Sequence, residues 1–69
     1  MLKKGEIYTT ESGAAYKCLS DIQKGSYYKL ERISDRWTIY AYNVRMTEDG
    51  KIYWAYSGGG WWNRRKNDE

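Results

Sequence analysis

Trp61-Trp62 is followed one residue later by Arg64-Arg65-Lys66, the sharpest chemical cluster in the sequence. Exposed indoles provide stacking platforms for unpaired bases, worth ~1–3 kcal/mol per base, while Arg and Lys neutralise phosphate. The same combination of Trp and Arg also marks protein-binding hot spots. A third reading is structural, with both indoles capping a core and the cations forming a solubilising tail. Adjacent side chains on a strand point to opposite sides, so at most one of Trp61 and Trp62 faces the core if this segment is a strand.

Other chemistry has little to work with. The chain has no His, which removes the usual general base, the usual triad member and the commonest metal ligand. Cys18 is the one cysteine, too few for a disulfide within the chain or a zinc knuckle. It sits in a strand pattern between Lys17 and Leu19 and reads as a small buried filler. Gly58-Gly59-Gly60 lacks the Lys and Ser or Thr of a phosphate loop. Glu48-Asp49 falls in a turn and Asp68-Glu69 in a tail, so neither carboxylate pair is placed for acid–base work. The expectation is a binding protein and not an enzyme, with no cofactor and no metal.

Sixty-nine residues make one small domain, read as a folded unit over residues 1–63 and a polar basic tail over 64–69. A chain of this size buries only ~60% of the surface its unfolded form exposes, so the core is thin. The net charge of +3 is uneven along the chain. Between Gly5 and Asn63, Lys17, Lys24, Lys29, Arg32, Arg36, Arg45 and Lys51 are matched by Glu6, Glu11, Asp21, Glu31, Asp35, Glu48 and Asp49. The excess lies in Lys3, Lys4, Arg64, Arg65 and Lys66, partly offset by Asp68 and Glu69. Basic ends hint at nucleic acid, and the neutral body weakens that hint. No signal-peptide pattern or membrane-spanning apolar run is visible, and an unpaired cysteine fits a reducing compartment; the expected location is cytoplasmic, with no membrane partner.

Aromatic and β-branched residues recur at short range, broken by turn residues, which predicts a meander of short strands. The clearest unit is a hairpin over residues 37–57 around Glu48-Asp49-Gly50, a three-residue loop closed by Gly50 in the left-handed region. This loop pairs Thr47 with Lys51, Met46 with Ile52, Val44 with Trp54 and Tyr42 with Tyr56. It also pairs Arg45 with Tyr53, Asn43 with Ala55 and Ala41 with Ser57. The even-numbered face, carrying Tyr40, Tyr42, Trp54 and Tyr56, is the expected core. Trp37 and Ile39 then fall on the opposite face with Arg45 and Tyr53, so either a bulge near Ala41 exchanges the sides or that face carries an apolar binding patch.

The first hairpin flanks Glu11-Ser12-Gly13. A three-residue loop sets Tyr8 opposite Tyr16, whereas a two-residue turn aligns Ile7 with Cys18 and Thr9 with Tyr16. The two loops share Thr10-Glu11-Ser12-Gly13-x-x-Tyr16 and Thr47-Glu48-Asp49-Gly50-x-x-Tyr53; duplication would explain this, and convergent turn chemistry explains it more simply. Residues 20–25 read as a loop or one helical turn. Residues 27–33 fit a helix capped by Ser26, or a strand with Tyr28 and Leu30 inward; strand is favoured, because an isolated helix this short is weak. Ser34-Asp35 suits a tight turn into Trp37. The three glycines read as a flexible joint or as a segment that something approaches closely, with Trp61 and Trp62 returning as a last strand or staying partly exposed.

Five or six strands in so short a chain are expected to curl into a small barrel, which covers the aromatic face and the sheet edges. Lys4-Gly5-Glu6-Ile7-Tyr8 with its hairpin into Tyr16-Lys17-Cys18-Leu19 resembles the opening of bacterial SH3-like barrels, over about the first twenty residues. The resemblance implies an all-β SH3-like barrel of about five antiparallel strands, an architecture that hosts nucleic-acid, peptide and protein docking alike. Two functions follow. In the first, a nucleic-acid-associated accessory protein stacks bases on Trp37, Tyr53 and one of Trp61 or Trp62, and holds phosphates with Arg45, Arg64, Arg65 and Lys66. In the second, a protein-interaction module or small inhibitor, of the compact mobile-element kind, uses the same patch with Trp37 and Trp61 as anchors. Nucleic acid is favoured by a small margin, since basic residues gather at both ends. Burial of the Trp patch in a symmetric homodimer is a third expectation.

Overall fold

The computed structural model describes residues 2–20 and 27–62. Seven strands follow in order: β1 (Ile7–Thr9), β2 (Ala15–Cys18), β3 (Tyr27–Arg32), β4 (Trp37–Tyr42), β5 (Arg45–Met46), β6 (Ile52–Tyr53) and β7 (Tyr56–Trp62). Five of them form an antiparallel sheet in the order β1-β2-β3-β4-β7, and β5-β6 form a separate two-stranded ladder. Among the described residues there is no helix, and hence none long and apolar enough to cross a membrane.

Two turns of the same construction set the registers. Thr10 N–H donates to Ala14 O at 2.8 Å, Gly13 N–H to Thr10 O at 3.0 Å, and Ala14 N–H to Thr10 Oγ1 at 3.2 Å. Thr47 N–H donates to Lys51 O at 2.7 Å, Gly50 N–H to Thr47 O at 3.1 Å, and Lys51 N–H to Thr47 Oγ1 at 3.0 Å. Gly13 and Gly50 close the loops at φ 99° and 87°, the left-handed region that disfavours a Cβ. The shared motif therefore corresponds to one turn geometry used twice. The first turn places Tyr8 opposite Tyr16, the three-residue register. The second pairs Met46 with Ile52, Arg45 with Tyr53, Tyr42 with Tyr56 and Ala41 with Ser57, all as the loop requires.

The segment favoured as a strand is one: β3 pairs with β2 and β4 and buries Tyr28 and Leu30. As an extended strand its backbone is hydrogen-bonded on both sides, which a single short helix could not match. The expected loop or turn over residues 20–25 lies outside the described residues apart from Ser20.

The expected core face of β4 and β7 is corrected by the structure. The core is built from Leu2, Tyr16, Cys18, Tyr28, Leu30, Ile39, Ala41, Val44 and Ile52, with Tyr8, Ala14, Trp37 and Trp54 packed against it. Tyr40, Tyr42 and Tyr56 are not part of it; Ile39 and Ala41, one residue out of phase, are. The cause is Asn43, which sits at φ 54° and breaks the alternation of the strand. Before it the odd-numbered residues face the core; after it Val44 does. Asn tolerates the left-handed conformation better than most residues, so the exchange is local and inexpensive. The expected switch of sides near Ala41 is thus real, two residues further on. Beyond it, β5 and β6 fold across the core side of the sheet.

This bend brings Thr10 and Ile52 together in an isolated parallel bridge. The sheet nevertheless stays open: β1 and β7 are its two edges and do not pair with each other. The architecture is all-β, with an open five-stranded sheet and a hairpin folded over one face.

Candidate functional site

The reverse face of the sheet, away from β5 and β6, follows from the registers as three cross-strand rows. Tyr27, Tyr42 and Tyr56 form one; Lys29, Tyr40 and Gly58 the next; Lys17, Glu31, Thr38 and Trp61 the third. Five of these side chains make a continuous arc of rings. Trp61 meets Tyr40 at a centroid distance of 5.2 Å, Tyr40 meets Tyr27 at 5.1 Å, Tyr27 meets Tyr42 at 5.6 Å, and Tyr42 meets Tyr56 at 5.1 Å. Neighbouring rings are tilted by 48° to 71°, so each presents its own face or edge. Tyr27, Tyr40, Tyr42 and Trp61 are half-buried among themselves, and Tyr56 is 66% exposed.

The glycines of β7 shape this arc. A β-bulge sets Gly59 and Gly60 opposite Ile39, between the pairs Thr38–Trp61 and Tyr40–Gly58. The bulge keeps Trp61 on the outer face and turns Trp62 to the core side beside Trp37, at 4.5 Å between ring centroids. A Cβ on Gly60 would lie 2.7 Å from Trp37 Cζ2; on Gly59, 3.2 Å from Tyr40 Cδ2 and 3.3 Å from Trp61 Cζ3; on Gly58, 3.4 Å from Tyr42 Cε1. The glycines are therefore strand residues against which aromatic rings lie closely, which answers the alternative of a flexible joint.

Charge at the arc is positive. The Lys29 ammonium sits 5.6 Å from the centroid of the Trp61 ring, a cation–π contact. Lys17 is exposed on the same face, while Glu31 is engaged by Arg36 at 3.1 Å. At the β3–β4 turn, Asp35 accepts from Arg32 Nε at 2.9 Å and Nη2 at 2.7 Å, and this pairing holds the Asp35 carboxyl below its ordinary range.

The residues singled out from the sequence are distributed over separate places. Trp37 and Trp62 pack together on the core side at the end of β4, Trp37 against the core and Trp62 half-exposed. Trp61 lies on the opposite face, as strand alternation requires. Arg45 and Tyr53 face each other across β5 and β6, beyond the bend at Asn43. Arg64, Arg65 and Lys66 lie outside the described residues. Tyr53 lines an open groove of about 370 Å³ with Thr10, Glu11, Ser12, Ala14, Tyr16, Ile52 and Trp54. Cys18 is buried, and its thiol donates to Ser20 O at 2.9 Å.

Sequence reasoning missed Tyr40, Tyr42 and Tyr56 as surface groups because they were assigned to the core, and it did not single out Tyr27, which alternates with the inward Tyr28. The signal that separates them is aliphatic: Leu30, Ile39 and Ala41 alternate with Lys29, Tyr40 and Tyr42 on adjacent strands. A charged residue directly opposite Tyr40 marks that side as the wet one. No family model, curated protein or solved structure matches the chain.

Proposed function

We propose that the chain is a non-catalytic binding module that engages nucleic acid through the outer face of its sheet. The observation that carries this reading is the arc of five rings that belongs neither to the core nor to the shell packed on it. Bases stack on such rings whatever their sequence, and cations beside the rings neutralise phosphate. Lys29 and Lys17 supply cations on the face itself, and Arg64, Arg65 and Lys66 follow Trp62 in the chain. A small SH3-like barrel stays part of this reading, supported by the bridge that brings Ile52 beside Thr10 at the end of β1.

The test is a titration of tryptophan fluorescence with oligonucleotides at ~50 and ~200 mM salt, across which phosphate contacts weaken steeply. Quenching that fades with salt is the expected result, and Trp61→Ala should weaken binding by roughly tenfold. No change at micromolar oligonucleotide would sink the reading.

A protein partner is the second reading, favoured by the groove between the first turn and β6. Tyr16, Tyr53 and Trp54 supply its aromatic wall and Glu11 a carboxylate, a lining suited to an extended peptide carrying a basic residue. Binding that survives high salt and is lost in Tyr53→Ala would identify this surface instead.

A further inference from the structure

The geometry points to a more specific ligand for the outer face: a short single strand of about three nucleotides with its bases splayed apart, not a duplex. This rests on the nucleic-acid reading above. Bases in a duplex are parallel and closed against one another, whereas neighbouring rings of the arc are tilted by 48° to 71°. A stacked ladder cannot satisfy rings that face different ways. A strand whose bases turn independently can, and unpaired segments offer this freedom.

The rows set the footprint. The rows step by two residues on β4, at Tyr42, Tyr40 and Thr38, roughly 6.6 Å apart, and reach β7 at Tyr56, Gly58 and Trp61, where the bulge takes up the extra residue. One base per row gives about three. The arc has both its ends, Trp61 and Tyr56, on β7, and β7 is an edge strand. It is therefore open on that edge, where alternate backbone N–H and C=O groups face outward and can meet the polar edges of the bases. Lys29 stands over Trp61 at one end, placed to exchange its cation–π contact for a phosphate when a base stacks on the indole.

Gly58 is the positioning residue. It stands in the middle row, where a side chain would fill the space between Tyr56 and Trp61 and meet the leaning ring of Tyr42 at 3.4 Å. Gly58 is not among the glycines held at positive φ, so a β-branched residue fits its backbone. Gly58→Val should therefore fold normally, displace the Tyr42 ring and block the arc.

The experiment uses the full chain with oligothymidylates of one to eight nucleotides and a hairpin duplex of matched charge. Affinity is expected to climb to about three nucleotides and then level off, to be at least tenfold weaker for the duplex, and to fall at least tenfold in Gly58→Val with an unchanged circular dichroism spectrum. Lys29→Met should reduce the salt slope by about 0.7, one single-strand phosphate contact. Equal affinity for duplex and single strand overturns the inference. Salt-sensitive binding that ignores both Gly58→Val and Tyr56→Ala also overturns it, and takes the outer-face reading with it, leaving nucleic-acid binding to another surface. Failure of every oligonucleotide to bind removes both.

Discussion

Leu30 and Ile39 face each other across β3 and β4 on one side of the sheet; one residue along, Lys29 and Tyr40 do so on the other. The first pair is closed from water, with Leu30 wholly buried, and touches the folded-over hairpin through a core of mostly small and branched side chains. The second pair opens onto solvent and belongs to a surface of rings. On β4, Tyr40 and Tyr42 are thus on the outer face, while Ile39 and Ala41, with Trp37 at the end of the strand, are inside. Packing explains the division: Tyr28 stands opposite Ala41 on the inner face and is buried there, so the small Ala41 leaves room for that ring, whereas Tyr40 and Tyr42 lie over the outer face. In a chain this short, bulk alone does not tell which side of a strand is inside.

The sharpest test of that contrast truncates one member of each pair. Leu30→Ala leaves a cavity in the core and should cost ~2–5 kcal/mol, a large part of the stability available to a domain of this size. Tyr40→Ala gives up ring contacts with Tyr27 and Trp61 that are worth ~0.5–1.5 kcal/mol each, and should leave the chain folded. Denaturant unfolding measures both. Equal losses would mean that the ring arc is a second core and not a ligand surface.

The glycines of β7 carry the same contrast at smaller scale. Gly60 holds φ 117°, and a methyl group there would meet Trp37 Cζ2 at 2.7 Å. Gly60→Ala must shift the indole that closes the end of the core and strain the bulge, for an expected cost of ~1–3 kcal/mol. Gly58→Ala meets Tyr42 at an ordinary contact distance with no backbone strain and should cost under ~1 kcal/mol. A Gly60→Ala variant as stable as wild type would show that Trp37 has room to move, and with it that the division between the faces is softer than the packing indicates.

These residues also show what could be read in advance. The second hairpin register was legible, because Thr47 with Gly50 leaves one comfortable loop, whereas the first stayed open between two loop lengths until Tyr8 was found opposite Tyr16. The strand at Tyr27–Arg32 was favoured over a helix because so short a helix is weak, and the opposite facing of Trp61 and Trp62 followed once that segment was a strand. The inside and outside of β4 did not, because they depend on Asn43 adopting φ 54°. Asn favours turns over strands, but a single Asn inside an alternating run does not mark where a hairpin bends back over its own sheet. The open sheet was hidden for a related reason: the folded β5–β6 ladder covers the inner face without joining β1 to β7. The candidate site suffered most, since an error of one residue in phase turns a surface into a core.

The smallest effect concerns the two turns, which differ in one chemical respect. The Thr10 hydroxyl meets Ser12 Oγ at 2.9 Å, whereas the Thr47 hydroxyl donates to the carboxylate of Asp49. That hydrogen bond, followed by Lys51 at 3.4 Å, holds the Asp49 carboxyl below its ordinary value. A carboxyl whose pKa is lowered by folding stabilises the fold above its unfolded pKa of ~3.9, and that contribution is lost as pH falls through the lower, folded value. The second turn is therefore acid-sensitive through this bond and the first is not. Asp49→Ser copies the first turn into the second. Because Asp49 is exposed, the gap in Tm between wild type and this variant should be small at pH 7, and should shrink or reverse as pH drops below about 4. A gap that stays constant down to pH 2 would mean that the carboxylate adds nothing to the turn, and that hydroxyl and backbone hydrogen bonds alone hold both loops in register.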